Sequence, residues 1–229
     1  QRLSAYPALL AVINLIRPPH PFCYPVSRSN RVRFSGIVDS STDRVPLVLD
    51  IGGGRLAAAN IAGLSQRCRR GLVAIDIEWA ASVGVVADAH KLPFLDSSVD
   101  GVLLQGVLEH VRDAGRIVRE IGRVLRPGGV VYVDIPFLQH YHQDPEDYRR
   151  FTAAGLVDFF RDFERVDSGA TAGPSSALSD ILIEFAAAWF TSPILYWGTK
   201  WFVGWLTFPL KYLDWFLVKK PRAHIAAGA

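Results

Sequence analysis

Between Val45 and Ser168 the chain alternates short apolar, β-branched runs with stretches whose apolar residues recur at helical spacing. The runs are VPLVLDI (45–51), GLVAIDI (71–77), VGVVAD (83–88), VDGVLLQ (99–105) and GVVYVDIP (129–136), with a weaker strand expected at FERVDS (163–168). Strands that are apolar on both faces and separated by helices predict an α/β fold, a doubly wound and mostly parallel sheet covered on both sides. Helices are predicted over 55–68, over 107–126 with RPGG at its end, and over 152–161 behind a Thr152 cap.

The pattern differs on either side of this block. Residues 1–44 read as an apolar helix candidate followed by the loop RPPHPFCYP, whose prolines forbid regular structure. The opening run YPALLAVINLI lacks a basic leader and a small-residue cleavage site, so it is not read as a signal peptide. Residues 45–173 form the sheet domain. Residues 174–229 form an aromatic-rich helical extension: between Phe185 and Leu210 its only charge is Lys200, and Pro193 and Pro209 interrupt it, so several short helices are expected in place of one membrane span.

Composition narrows the function classes. Half of the 229 residues are hydrophobic and 21% charged, which is a globular chain. A net charge of +3, with Lys and Arg scattered along the sequence, gives no basic stripe for nucleic acid. Two cysteines, Cys23 and Cys68, provide neither a disulfide framework nor metal-ligand spacing, and a cytoplasmic setting is expected.

The first chemical signal is VLDIGGG, residues 48–54. A buried strand ends in Asp50 and turns through Gly52, Gly53 and Gly54, where glycine permits positive φ and close ligand approach. Such a turn serves dinucleotides as well, and a purely structural tight turn has the same glycines. The second run ends in Asp76, where a carboxylate can accept from both hydroxyls of an adenosine ribose. The third ends at Asp88-Ala89 and the fourth at Gln105, so four successive strand ends carry polar groups toward one crevice.

VLDIGGG, AIDIE, ADAHKLPFLDSSVDGVLLQGVLEHV and RVLRPGGVVYVDIP stand in the order and spacing of the class I S-adenosylmethionine-dependent methyltransferases, and resemble most the small-molecule subgroup of ubiquinone and sterol enzymes. The resemblance implies that S-adenosyl-L-methionine is the cofactor. It implies that Asp50, Gly52, Gly53 and Gly54 shape the methionine end of its pocket and that Asp76 holds the ribose, with Ile77 beside it. It further implies that Asp88 bonds the adenine amino group, with Ala89 next to the ring, and that Gln105 lies beneath the cofactor. The family's third glycine falls here at Leu56, a departure from the pattern at the point of helix contact. A nicotinamide dehydrogenase competes for the turn alone, but the LEHV and LRPGG segments have no role in hydride transfer. QGVL follows the fourth run where base-methylating enzymes carry Asn or Asp before Pro-Pro-aromatic, which argues against nucleic acid as acceptor.

Methyl transfer needs an aligned nucleophile and, for a hydroxyl, a proton acceptor. The segment PFLQHYHQDPEDYRRFT, residues 136–152, leaves the ligand edge of the sheet and is rich in suitable groups. His140 and His142 are the candidate bases, against the plainer reading of hydrogen-bonding surface residues. Tyr141, Asp144, Tyr148 and Arg149 are candidate acceptor contacts, and Asp147, Tyr148 and Arg149 also look like a helix-start cluster. His110 of LEHV is expected to be structural or cofactor-side. The His140, His142, Asp144 spacing is not diagnostic of a metal, and none is expected. The DYRRFT segment and the tail resemble methyltransferases associated with cell-envelope and glycan clusters.

The expected acceptor is therefore a small, sugar-like or lipid-linked molecule methylated on oxygen. The alternatives are an O- or C-methyltransferase of secondary metabolism and a catalytically inactive cofactor-binding subunit. In the tail, Trp197, Trp201 and Trp205 fall at four-residue spacing, followed by Lys211, Lys219, Lys220 and Arg222. This pattern fits a helical cap or homodimer interface, peripheral contact with the inner face of a membrane, or an apolar acceptor tunnel.

Overall fold

A computed structural model describes residues 25–54, 61–143 and 145–220. The described residues fall into two compact units, 25–171 and 172–220.

The first unit is built on five parallel strands: β1 (Val48–Ile51), β2 (Leu72–Asp76), β3 (Val85–Val86), β4 (Val99–Gln105) and β5 (Leu125–Asp134), in the order β3-β2-β1-β4-β5. The strands are apolar on both faces because both faces are covered. Leu49, Ile51, Val102 and Leu104 pack with Ile117, Ile121 and Val124 of helix α3 (Ala114–Val124). The alternate residues Val48 and Leu103 pack with Phe34, Val38, Leu64 and Cys68 on the opposite face. Phe34 and Val38 belong to helix α1 (Pro25–Ser40), Cys68 to helix α2 (Gln66–Arg70), and helix α4 is Ala153–Phe159. Gly101 makes room for α1: a Cβ there would stand 2.8 Å from Phe34 Cζ and 3.1 Å from Val38 Cγ2.

Several expected boundaries move, each for a local reason. Helix α1 begins inside RPPHPFCYP at Pro25, where proline is tolerated in a first turn; the apolar opening run lies outside the described residues. Of the helix expected over 55–68, residues 55–60 are not described and 61–65 are not helical. Among the described residues α2 forms there, started by Ser65, whose Oγ accepts from Cys68 N at 3.0 Å. The helix expected from 107 instead opens as a 3-10 turn, Leu108–His110, and restarts at Ala114 behind Asp113, which accepts from Arg116 N at 3.0 Å. The helix ends at Val124, just before RPGG, which itself lies inside β5 as a register irregularity with Gly128 at φ +77°. FERVDS forms no strand: only Phe163 packs on the core, so the segment has no apolar face to bury.

The second unit contains helices α5 (Pro174–Ala187), α6 (Pro193–Thr207) and α7 (Asp214–Leu217), with a 3-10 stretch at Phe208–Leu213. Buried Asp214 accepts from Gly173 N, Ser175 N and Ser176 N at 3.1, 2.9 and 3.0 Å, capping the start of α5 from 38 or more positions away in sequence. Among the described residues no helix is long and apolar enough to cross a membrane.

Candidate active site at the ends of β1, β2 and β4

Strand order reverses between β1 and β4, and an open α/β sheet binds ligands outside the carboxyl ends of its strands at such a switch point. The glycine turn occupies that place. Gly52 donates to Ile75 O at 2.8 Å and holds φ +77°; a Cβ on it would stand 2.5 Å from Val107 Cγ2, so the turns after β1 and β4 touch only because it is glycine. Gly53 lies against the buried Asp50, whose Oδ2 would be 2.5 Å from an added Cβ. Gly54 lies against Asp76: its N–H donates to Asp76 Oδ2 at 3.1 Å, while Asp76 Oδ1 accepts from Glu78 N at 3.0 Å. Leu56, the departure from the family glycine, lies outside the described residues.

The remaining strand ends are polar as expected. Ile77 is exposed beside Asp76. Asp88 Oδ1 accepts from His90 N at 2.9 Å and meets His90 Nδ1 at 2.6 Å; the backbone N–H of His90 holds this carboxyl below the usual range. Ala89 packs partly on the core. Gln105 Oε1 accepts from Arg31 Nη1 at 3.0 Å. Its buried Nε2 has no hydrogen-bond partner among the described residues, a donor that fits a polar ligand at the switch point.

Arg31 is a site residue that the sequence reading missed. It lies buried on α1, donates through Nε to Ala62 O at 2.7 Å, and fixes the Gln105 amide. Burial pulls its guanidinium below its ordinary value, partly offset by Tyr132, Asp134 and Asp50. No sequence motif pointed to it, because α1 itself went unrecognised.

The loop after β5 folds back on the LEHV turn. Tyr148 N donates to Glu109 O at 2.7 Å, and His110 Nδ1 lies 2.6 Å from Glu146 O. The His142 ring stands edge-on to His110 with centroids 5.0 Å apart, and 5.8 Å from the His140 ring. His142 N donates to Asp147 Oδ2 at 2.9 Å, and burial pushes the His142 imidazole below its ordinary value. Asp147 is gripped by both Arg150 guanidinium nitrogens. Tyr141 and Tyr148 are exposed; Tyr148 Oη accepts from Arg112 Nε at 2.9 Å, and Arg149 donates to Arg112 O. Asp144 lies outside the described residues.

Glu109 is the second residue missed. LEHV drew attention to its histidine, yet the glutamate is the buried member, with Oε2 lacking a hydrogen-bond partner among the described residues. Burial pushes its carboxyl up to about 7, against the favourable charges of His110 and Arg150. Donor atoms of Glu109, His110 and His142 lie within 4.8 Å of one another, near enough to share a proton or a cation. Among the described residues the gathered trio is Glu109, His110 and His142; of the His140, His142, Asp144 set considered from spacing, Asp144 lies outside them.

Comparison with known proteins agrees with this geometry. Residues 49–133 match the family model described as a methyltransferase domain. An uncharacterized methyltransferase of Mycobacterium sp. (strain KMS) is 41% identical over 97 residues, covering 36% of each chain. The 27-O-demethylrifamycin SV methyltransferase of Amycolatopsis mediterranei is 38% identical over 96 residues, covering 36% of this chain and 35% of its own. The match thus spans about a third of these curated relatives. The crystal structure of MccD protein superposes with a TM-score of 0.50 at 15% identity, over 82% of this chain and 91% of that one, a likeness of fold. Residues 49–133 are thus similar to a methyltransferase domain, and the sheet order and the glycine turn place a ligand edge at the β1/β4 switch point.

Proposed function

We propose that the chain transfers a methyl group from S-adenosylmethionine to an oxygen of a small, sugar-like or lipid-linked acceptor. The observation that carries the reading is the turn at the β1/β4 switch point, where Gly53 and Gly54 lie directly against the carboxylates of Asp50 and Asp76. A buried strand-end carboxylate beside a glycine turn, a second carboxylate one strand away and the Gln105 amide suit a ligand with an amino-acid end and a ribose. Bound there, the cofactor supplies a methyl group on a positively charged sulfur.

The chain's own residues do the rest. Asp76 would hold the ribose hydroxyls, Asp88 and Ala89 the adenine edge with Ile77 beside it, and Gln105 the underside. His140 or His142 would accept the proton that the acceptor oxygen gives up as it takes the methyl group. Tyr141, Asp144, Tyr148 and Arg149 would position the acceptor. The oxygen preference is supported by the name of the Amycolatopsis relative, an O-methylating enzyme.

The test is turnover of the purified chain with tritiated methyl donor against a panel of sugar, lipid-linked and polyketide acceptors, with the labelled atom located by NMR. Label on oxygen supports the reading. Label on carbon or nitrogen overturns the acceptor atom. Cofactor binding without any turnover identifies a catalytically inactive subunit.

A further inference from the structure

The helical unit of residues 172–220 buries polar groups and leaves large apolar ones outside. Its inside holds Ser176, Ser179, Thr207 and Asp214 beside Ala177, Ile183 and Ala187, all buried. Where α5 meets α6, Ser179 Oγ donates to Thr207 Oγ1 at 2.8 Å, and Thr207 Oγ1 donates to Val203 O at 2.8 Å, beside the buried Gly204. Small hydroxyl residues and glycine in a helix contact are the packing of helices whose outer surface meets lipid, where interhelical contact gains nothing from burying more hydrocarbon. Water favours the opposite arrangement.

The outside is correspondingly apolar. Ile194 is 84% exposed, Trp189 76%, Phe202 72%, Leu206 69% and Phe216 67%. From Trp197, itself exposed, to Phe202 the helix advances by about 140° around its axis, so the exposed apolar side chains form one broad face of α6, opposite the buried Gly204 and Thr207. The same unit ends in the exposed pair Lys219 and Lys220, with Lys219 Nζ 5.6 Å from the Trp215 ring. Tryptophan beside lysine suits the depth where acyl chains give way to headgroups. The 15 residues of α6 extend about 22 Å, short of a bilayer core of about 30 Å, so the unit would lie in the interface and not across it.

We infer that residues 172–220 dock on an anionic lipid bilayer, the aromatic side chains of α5 to α7 entering the headgroup–acyl boundary and Lys219 and Lys220 meeting lipid phosphates. This inference stands apart from the methyl-transfer reading.

The experiment uses the full chain with phosphatidylcholine vesicles, with and without phosphatidylglycerol, read by co-sedimentation and by quenching of tryptophan fluorescence with brominated acyl chains. Five of the six tryptophans lie in this unit. Binding and quenching should appear with the anionic vesicles and fall roughly tenfold or more in Phe202→Gln/Leu206→Gln, which removes two large exposed apolar groups. Lys219→Glu/Lys220→Glu should abolish the preference for anionic lipid. S-adenosylhomocysteine binding measured on the same samples checks that each variant is folded and reports on the methyltransferase reading separately. No binding to either vesicle, or binding unchanged in the Phe202/Leu206 variant, overturns the inference. So does a dimer in gel filtration that this variant dissociates, which would make the surface a subunit interface. Equal binding to both vesicles overturns the role of the lysines.

Discussion

The carboxylate of Asp76, at the end of β2, accepts the backbone N–H of Gly54 in the turn after β1 at 3.1 Å. The residue expected to hold the cofactor ribose therefore also fixes the loop around the methionine end. A Cβ at position 54 would stand 2.5 Å from that carboxylate oxygen. Gly54→Ala should displace Asp76 and weaken S-adenosylhomocysteine binding by about 1–3 kcal/mol, the range for disturbing a buried polar contact. Calorimetric titration checks this, with a thermal melt showing that the domain stays folded.

Gly52→Ala has a different consequence. It places a side chain at φ +77° and against Val107 Cγ2 at 2.5 Å, so the loops after β1 and β4 must separate. The expected loss of folding stability is about 1–3 kcal/mol, measured by urea denaturation.

Glu109 gives a pH signature. Its folded carboxyl lies near 7, above the unfolded value. Ionising it in the fold opposes folding, and the cost builds as pH rises from the unfolded value to about 7, then stays constant. His110 and Arg150 reduce the cost; Asp134 adds to it. Glu109→Gln removes the titration, so relative to wild type the variant should gain stability between pH 5 and pH 8. The gain has an upper bound of about 3 kcal/mol. Melting temperatures of both proteins across that range decide it; parallel curves would show that Glu109 does not titrate there.

His140 and His142 stand within ring contact of each other after β5. Replacing both with alanine should reduce turnover on the true acceptor by roughly 10²–10⁴-fold while leaving S-adenosylhomocysteine affinity intact. Near-normal turnover would leave the loop a positioning role only.

What the sequence made legible was local and periodic. Val48 and Leu49, or Val102 and Leu103, are apolar neighbours facing opposite sides of the sheet, and such runs announced buried parallel strands before any contact was known. Asp50, Gly52, Asp76 and Gln105 stood out as candidates because each lies at or just past the end of such a run. Helix α1 was not: its buried residues Phe34 and Val38 come after a segment carrying Arg28, Arg31 and Arg33, and the preceding prolines suggested loop. Arg31 reaches Gln105 across 74 positions, a pairing that no local pattern encodes. Glu109 was equally hidden, because a glutamate near a helix start ordinarily faces water, whereas here the turn is covered by Glu146 and Tyr148 from the loop after β5. In the tail the tryptophan spacing was read correctly as helical. The burial of Ser176, Ser179 and Thr207 in its place depends on how α5 meets α6, and nothing in hydropathy reports that.

The central claim is that the strand-end carboxylates around the β1 turn form an S-adenosylmethionine site. Isothermal titration of the purified chain with S-adenosylhomocysteine and with NAD, repeated for Asp50→Ala and Asp76→Ala, tests it most directly. The account predicts that S-adenosylhomocysteine binds at one site, NAD does not, and each substitution weakens binding by about 1–3 kcal/mol. Binding left unchanged by both substitutions, or heat released with NAD in place of S-adenosylhomocysteine, would contradict it.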